Sequence, residues 1–150
     1  MNRSSDPLVN DLTALDAAFA RIRAATRREL CPGLAARQRR LAALEAMLRE
    51  QQAGFAAAID ADFGHRAHHE TGLLELFPSL EGIRHARRHV RQWMRPRRRS
   101  VSLWFQPGRA EVRPLPLGCV GIVVPWNFPL YLAVGPLVAA FAAGNRALVK

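Results

Sequence analysis

The sequence predicts an α/β fold in which N-terminal helices lead into a β-hairpin and then into the first βαβ unit of a Rossmann-like parallel sheet. Three observations carry this. Apolar residues recur at intervals of three and four along residues 12–94, as in amphipathic helices. Residues 100–115 alternate instead, around a turn at "PGR". Last, two apolar runs, "CVGIVV" at 119–124 and "RALVK" at 146–150, bracket a helix-length stretch of small residues. Strand, helix, strand at that spacing suits a right-handed crossover between parallel strands. At 150 residues and 49% hydrophobic, the chain has the bulk for one domain with a core.

The first helix is expected from Asp11 to about Leu30, with Leu12, Leu15, Phe19 and Ile22 on one face and Asn10 or Asp11 as N-cap. "CPG" at 31–33 breaks it. A second helix then carries Leu34, Leu41, Leu44 and Leu48 on its apolar face and Arg37, Arg39, Arg40 and Arg49 on the other. Phe55, Ile59 and Phe63 mark a third, stopped by Gly64. The fourth spans about His69 to Met94; Pro78 predicts a kink or two abutting helices there, and Pro96 ends it. "SVSLWF" and "AEVRPLP" are the expected strands of the hairpin. "CVGIVV" reads as a strand buried on both faces. A helix from Pro129 to Ala143 follows, with a proline near its start and Gly144 at its stop, and "RALVK" is the second buried strand.

Composition narrows the function classes. There is no run of about 18 uncharged apolar residues free of proline, and "MNRSSDPLVN" has neither a basic n-region nor an apolar h-region, so a soluble, unexported chain without membrane contact is expected. Cys31 and Cys119 stand far apart, which suits a reducing compartment, the cytoplasm, better than a disulfide framework. The net charge of +10 comes from 21 arginines and a single lysine, Lys150. Between Arg84 and Ala110 there are nine arginines, two histidines and no acid, with Trp93, Trp104 and Phe105 among them. That mix resembles a single-stranded nucleic-acid site, so the alternative function is a basic module binding nucleic acid or another polyanion through Arg84 to Arg113. The preferred reading is plainer. Arg84, Arg87, Arg88, Arg91 and Arg95 form the solvated face of a helix whose other face is Leu80, Ile83, Val90 and Met94, and no groove-reading motif accompanies them.

Inside "PLGCVGIVVPWNFPLYLAV" stands Asn127, an amide in an apolar run. Such a group is kept where its hydrogen bonds are used, because leaving it buried and unpaired costs about 1–3 kcal/mol. It either ties a turn or points at a ligand. If 119–124 is a parallel strand, Pro125, Trp126 and Asn127 lie just past its carboxyl end, where open α/β sheets bind ligands.

"PWNFP", followed by "AAGN" and by a lysine 24 positions after the tryptophan, resembles the aldehyde dehydrogenase superfamily. The resemblance runs upstream through "DADFGHRAHHET", "LEGIRHARRHVRQWM" and "PLGCVGIVVPWNFPL", so it covers the chain from about residue 35. Within the superfamily the "DFG.R...ET" segment and the Arg-rich helix ending in "WM" are most similar to the class 3 branch and its coniferyl aldehyde dehydrogenases. Phe128, His65 and Arg146 depart from residues common in that branch.

The resemblance implies oxidation of an aldehyde, coniferyl or another aromatic or hydrophobic one, to a carboxylic acid through a cysteine thioester, with NAD or NADP as cofactor. It implies that Asn127 is catalytic, donating its side-chain amide to the oxyanion formed on addition to the carbonyl. The backbone of Val123, Val124 and Trp126 is implied to line the cofactor, and Lys150 to bond the adenosine ribose hydroxyls. A homodimer is implied as well. The expected divisions are a helical region at 1–99, a hairpin at 100–115 serving oligomerisation, and the start of the NAD(P)-binding domain at 116–150. The fold is thus expected to be an incomplete aldehyde dehydrogenase fold, with the catalytic cysteine and glutamate beyond residue 150, and the polypeptide alone is expected to be inactive.

No metal site is expected. His85 and His89 are spaced i, i+4, but "HARRH" lacks the Glu of an HExxH helix and is crowded by cations, and "HRAHHE" at 65–70 fares little better. Cys119, inside a strand and without a neighbouring base, is expected to be a small core residue.

Overall fold

The computed structural model describes residues 12–150, so the expected N-cap at Asn10 or Asp11 lies outside the described residues. In chain order the elements are α1 (Leu12–Arg28), α2 (Leu34–Glu50), α3 (Gln52–Phe63), α4 (His68–Thr71), α5 (Phe77–Trp93), β1 (Arg97–Arg99), β2 (Ala110–Val112), β3 (Cys119–Ile122), α6 (Pro129–Ala143) and β4 (Arg146–Val149). Helices α2, α5 and α6 meet around one core. Leu41, Leu44 and Leu48 come from α2, Ile83, Ala86 and Val90 from α5, and Leu130, Val134, Val138 and Ala142 from α6.

Stops fall where local chemistry puts them. Gly64 and Gly144 end α3 and α6 with φ of 79° and 92°, a left-handed conformation that a Cβ would strain. At Gly144 a Cβ would also stand 2.8 Å from the Arg37 guanidinium. Arg37 corrects the expectation that it lies on the solvated face of α2. It is 3% exposed, and its Nε and Nη1 donate to the carbonyls of Pro32 and Ala142, both at 2.9 Å. A buried guanidinium here binds the break before α2 to the end of α6, satisfying carbonyls that helix geometry leaves open.

The helical path from His68 to Trp93 is continuous, as one widened π-helical turn at Gly72–Leu76 comes just before Pro78. Proline has no N–H and crowds the carbonyl four residues back, so a local shift to longer bonds, such as Phe77 N–H to the Gly72 carbonyl, keeps the helix going. Along α5 the arginines keep to the outer face, as expected, and two of them also tie the helix to its neighbour. Arg84 and Arg87 both reach Glu45, a buried carboxylate of α2 that Arg49 also binds at 2.9 Å. The hydrogen bond from Arg49, aided by Arg87, holds the Glu45 carboxyl below its ordinary range in spite of burial.

The hairpin differs from its expected span. "SVSLWF" is not a strand: Leu103–Phe105 forms a short 3₁₀ turn, and the strand facing Ala110–Val112 is Arg97–Arg99, in antiparallel register with Arg98 opposite Glu111. Both strands are exposed along their length, so no buried face sets their register, and Glu111 pairs with Arg113 on its own side of the hairpin.

Strands β3 and β4 pair in parallel, Cys119 beside Arg146 through Ile122 beside Val149, which makes the expected βαβ unit. Both contact α1 and α6. Burial on both faces does not hold throughout, since Ile122 is buried but Gly121 and Val149 are exposed, as the two edges of so narrow a sheet dictate. Arg146 has a packing role. Its Nη2 donates to the Ala25 carbonyl at 3.1 Å and lies 3.3 Å from Glu29, fastening the last turn of α1 to the start of β4. Among the described residues no helix is long and apolar enough to cross a membrane.

Candidate active site

Backbone pairing continues past the carboxyl ends of the two strands. The Lys150 N–H donates to the Ile122 carbonyl at 2.9 Å, and the Val124 N–H donates to the Lys150 carbonyl at 2.8 Å. Val123, Val124 and Lys150 therefore share one edge, on which Val123 is 85% exposed and Lys150 is exposed. Trp126, 80% exposed, turns toward α3, its ring centroid 6.2 Å from that of Phe63.

Asn127 follows on the loop into α6. Its side chain is exposed and makes no hydrogen bond with any described residue, so it does not brace the turn. It lines an open pocket of about 380 Å³ with Phe63, His65, Arg66, Glu70 and Phe128. Val123, Val124, Trp126 and Lys150 do not line this pocket.

The loop is held by two residues to which the sequence reading gave no role. Arg66, 6% exposed, donates from Nη1 to the Asn127 carbonyl at 3.0 Å, and its guanidinium lies 4.9 Å from the Phe63 ring centroid and 4.7 Å from that of Phe128. Glu75, fully buried, accepts from the N–H groups of Leu130 and Tyr131 at 2.8 and 3.1 Å. Its Oε1 lies 3.3 Å from Arg66 Nη1. A carboxylate on the first N–H groups of a helix is favourable through both hydrogen bonding and the helix dipole. It also fills the place where a phosphate would otherwise sit. The signal for Glu75 was present in "GLLELF", a lone acid inside an apolar run, the same kind of anomaly that singled out Asn127.

Neither cysteine belongs to this pocket. Cys31 is exposed in the break before α2, and Cys119 is half-buried in β3 with its Sγ 3.2 Å from Thr26 Oγ1. His85 and His89 stack on each other at 4.1 Å, and His89 Nδ1 donates to the His85 carbonyl at 2.8 Å.

A family profile described as "Aldehyde dehydrogenase family" matches residues 10–150. The chain belongs to the aldehyde dehydrogenase family. It is 47% identical over 140 residues to a protein of Pseudomonas aeruginosa named a probable coniferyl aldehyde dehydrogenase, covering 93% of this chain and 29% of that one. It is 35% identical over 114 residues to aldehyde dehydrogenase family 3 member B1 of Bos taurus, covering 76% of this chain and 24% of the other. The class 3 affinity and the coniferyl relatives agree with the resemblance carried by "DFGHR" and "RQWM". Among solved structures, a Mycobacterium tuberculosis aldehyde dehydrogenase complexed with NAD+ superposes with a TM-score of 0.77 at 27% identity, over 92% of this chain and 28% of its own. The chain spans less than a third of the length of these relatives.

Proposed function

We propose that the chain is the N-terminal part of an NAD- or NADP-dependent aldehyde dehydrogenase that oxidises coniferyl or other aromatic, hydrophobic aldehydes through a cysteine thioester. The observation that carries this is the Asn127 amide, unengaged and exposed beside a loop whose backbone is fixed by Arg66. Attack of a thiolate on the aldehyde carbon drives the carbonyl electrons onto oxygen, and Asn127 Nδ2–H donates to that oxygen without carrying a charge that could titrate. The family resemblance puts the attacking cysteine and the base that activates water for thioester hydrolysis beyond residue 150, and in keeping with it neither Cys31 nor Cys119 lies in the Asn127 pocket.

The strand-end edge suits the ribose end of the cofactor. Lys150 offers ammonium donors to the adenosine hydroxyls, and the backbone of Val123, Val124 and Trp126 lines the cofactor, save the Val124 N–H, which the Lys150 carbonyl takes. With Glu75 on the first turn of α6, that helix end has no place for the pyrophosphate. When bound, the cofactor accepts the hydride released as the aldehyde carbon is oxidised. We place the protein in the cytoplasm, in keeping with two unpaired cysteines.

The test is oxidation of coniferyl aldehyde by the complete enzyme, read as absorbance of reduced cofactor, with the polypeptide 1–150 giving a blank. Turnover of acetaldehyde but of no aromatic aldehyde would overturn the substrate class. No turnover of any aldehyde would overturn the function.

The hairpin is proposed as a homodimer element. Leu103, Trp104 and Phe105 stand together at its tip, with Trp104 90% exposed, as an aromatic anchor awaiting a partner surface would be. In the complete enzyme Trp104→Ala is expected to weaken the dimer and leave the aldehyde KM unchanged, measured by sedimentation over a dilution series. A dimer that persists undiminished on dilution would remove the hairpin from the interface.

A further inference from the structure

We propose that Arg66 and Glu75 are positioning residues for the Asn127 amide, holding the Asn127–Pro129 stretch from its two sides; this rests on the oxyanion role proposed above. Each is a charge taken out of water, which is costly unless it is paired and hydrogen-bonded. Apolar residues of similar volume would stabilise the fold as well or better. What the two charges do in place of that is spend their hydrogen bonds on one short stretch of backbone. Arg66 takes the carbonyl of Asn127, and Glu75 takes the N–H groups of Leu130 and Tyr131.

Neither residue hydrogen-bonds the side chain of Asn127. The backbone beneath it is pinned while the amide stays free to donate, the arrangement a preorganised oxyanion donor needs. Phe63 and Phe128 flank the guanidinium and limit its movement. Glu75 sits in the π-helical turn, a form of helix that recurs at functional sites. The 3.3 Å approach of Arg66 Nη1 to Glu75 Oε1 joins the two supports, so loosening either is felt by the other.

In the complete enzyme, Arg66→Met and Glu75→Gln are each expected to lower kcat by roughly 10–100-fold, the scale on which small misplacement of a reacting group acts. The aldehyde KM, and cofactor affinity read from quenching of tryptophan fluorescence, should stay within about 3-fold, because neither residue meets the cofactor edge. Arg66→Lys, which keeps a cation and one donor, should recover part of the rate, and circular dichroism establishes that each variant is folded.

The deciding experiment places Arg66→Met in an Asn127→Ala background. There it is expected to cost less than about 3-fold more, since the group it positions is gone. An equal loss in both backgrounds, or an unchanged kcat for folded Arg66→Met with Asn127 present, overturns the proposal while leaving the oxyanion role intact. A normal kcat for Asn127→Ala alone overturns that role and the proposal with it.

Discussion

In the complete enzyme, Asn127→Ala is expected to lower kcat and kcat/KM together by about 10²–10³, the usual consequence of losing one oxyanion donor. Cofactor affinity should barely move, because Asn127 lines a pocket with Phe63 and Arg66 to which Lys150 does not belong. Melting temperature should barely move either. The side chain is exposed and makes no hydrogen bond with any described residue, so its removal leaves no partner unsatisfied. Asn127→Asp is expected to be slower still. A carboxylate would set a negative charge against the developing oxyanion and could donate only if its pKa rose enough to keep it protonated. A variant that melts early but turns over normally would mean that the asparagine is structural.

Ile83→Ala is expected to cost about 2–5 kcal/mol of stability, and Ile83→Val about 0.5–1.5. Ile83 is fully buried on α5, in the cluster that joins Leu41 and Leu48 of α2 to Val134 and Val138 of α6. Truncation leaves a cavity between three helices already tied to one another by Arg37, Glu45 and Glu75, so the site has little freedom to collapse. Urea unfolding followed by intrinsic fluorescence measures it. Equal midpoints for the wild type and the alanine variant would show that the core is not where the three helices meet.

How much of this was legible depends on whether a feature is local. The stops at Gly64 and Gly144, the βαβ unit and the leucine face of α2 follow from neighbouring residues alone and were readable. Arg37 shows where that reading fails. Its spacing from Leu41 and Leu48 put it on the inner face, but its charge argued for solvent; what decides is the carbonyl of Ala142, 105 residues away. The hairpin strands are short and exposed, with no buried face to mark them in the sequence, so the apolar alternation of "SVSLWF" misled. At the candidate site, Asn127 stood out as a polar residue in an apolar run. Glu75 carries the same mark in "GLLELF", but its partners, like that of Arg66, are backbone groups of a loop more than fifty residues further on, which no local pattern shows.

A crystal structure of the complete enzyme, holding an aldehyde-derived acyl group on its nucleophile, should place Asn127 Nδ2 about 2.7–3.1 Å from the substrate oxygen, the range of a working oxyanion donor. The bond from Arg66 to the Asn127 carbonyl should persist in it. An amide turned away from that oxygen, with another donor in its place, would contradict the account.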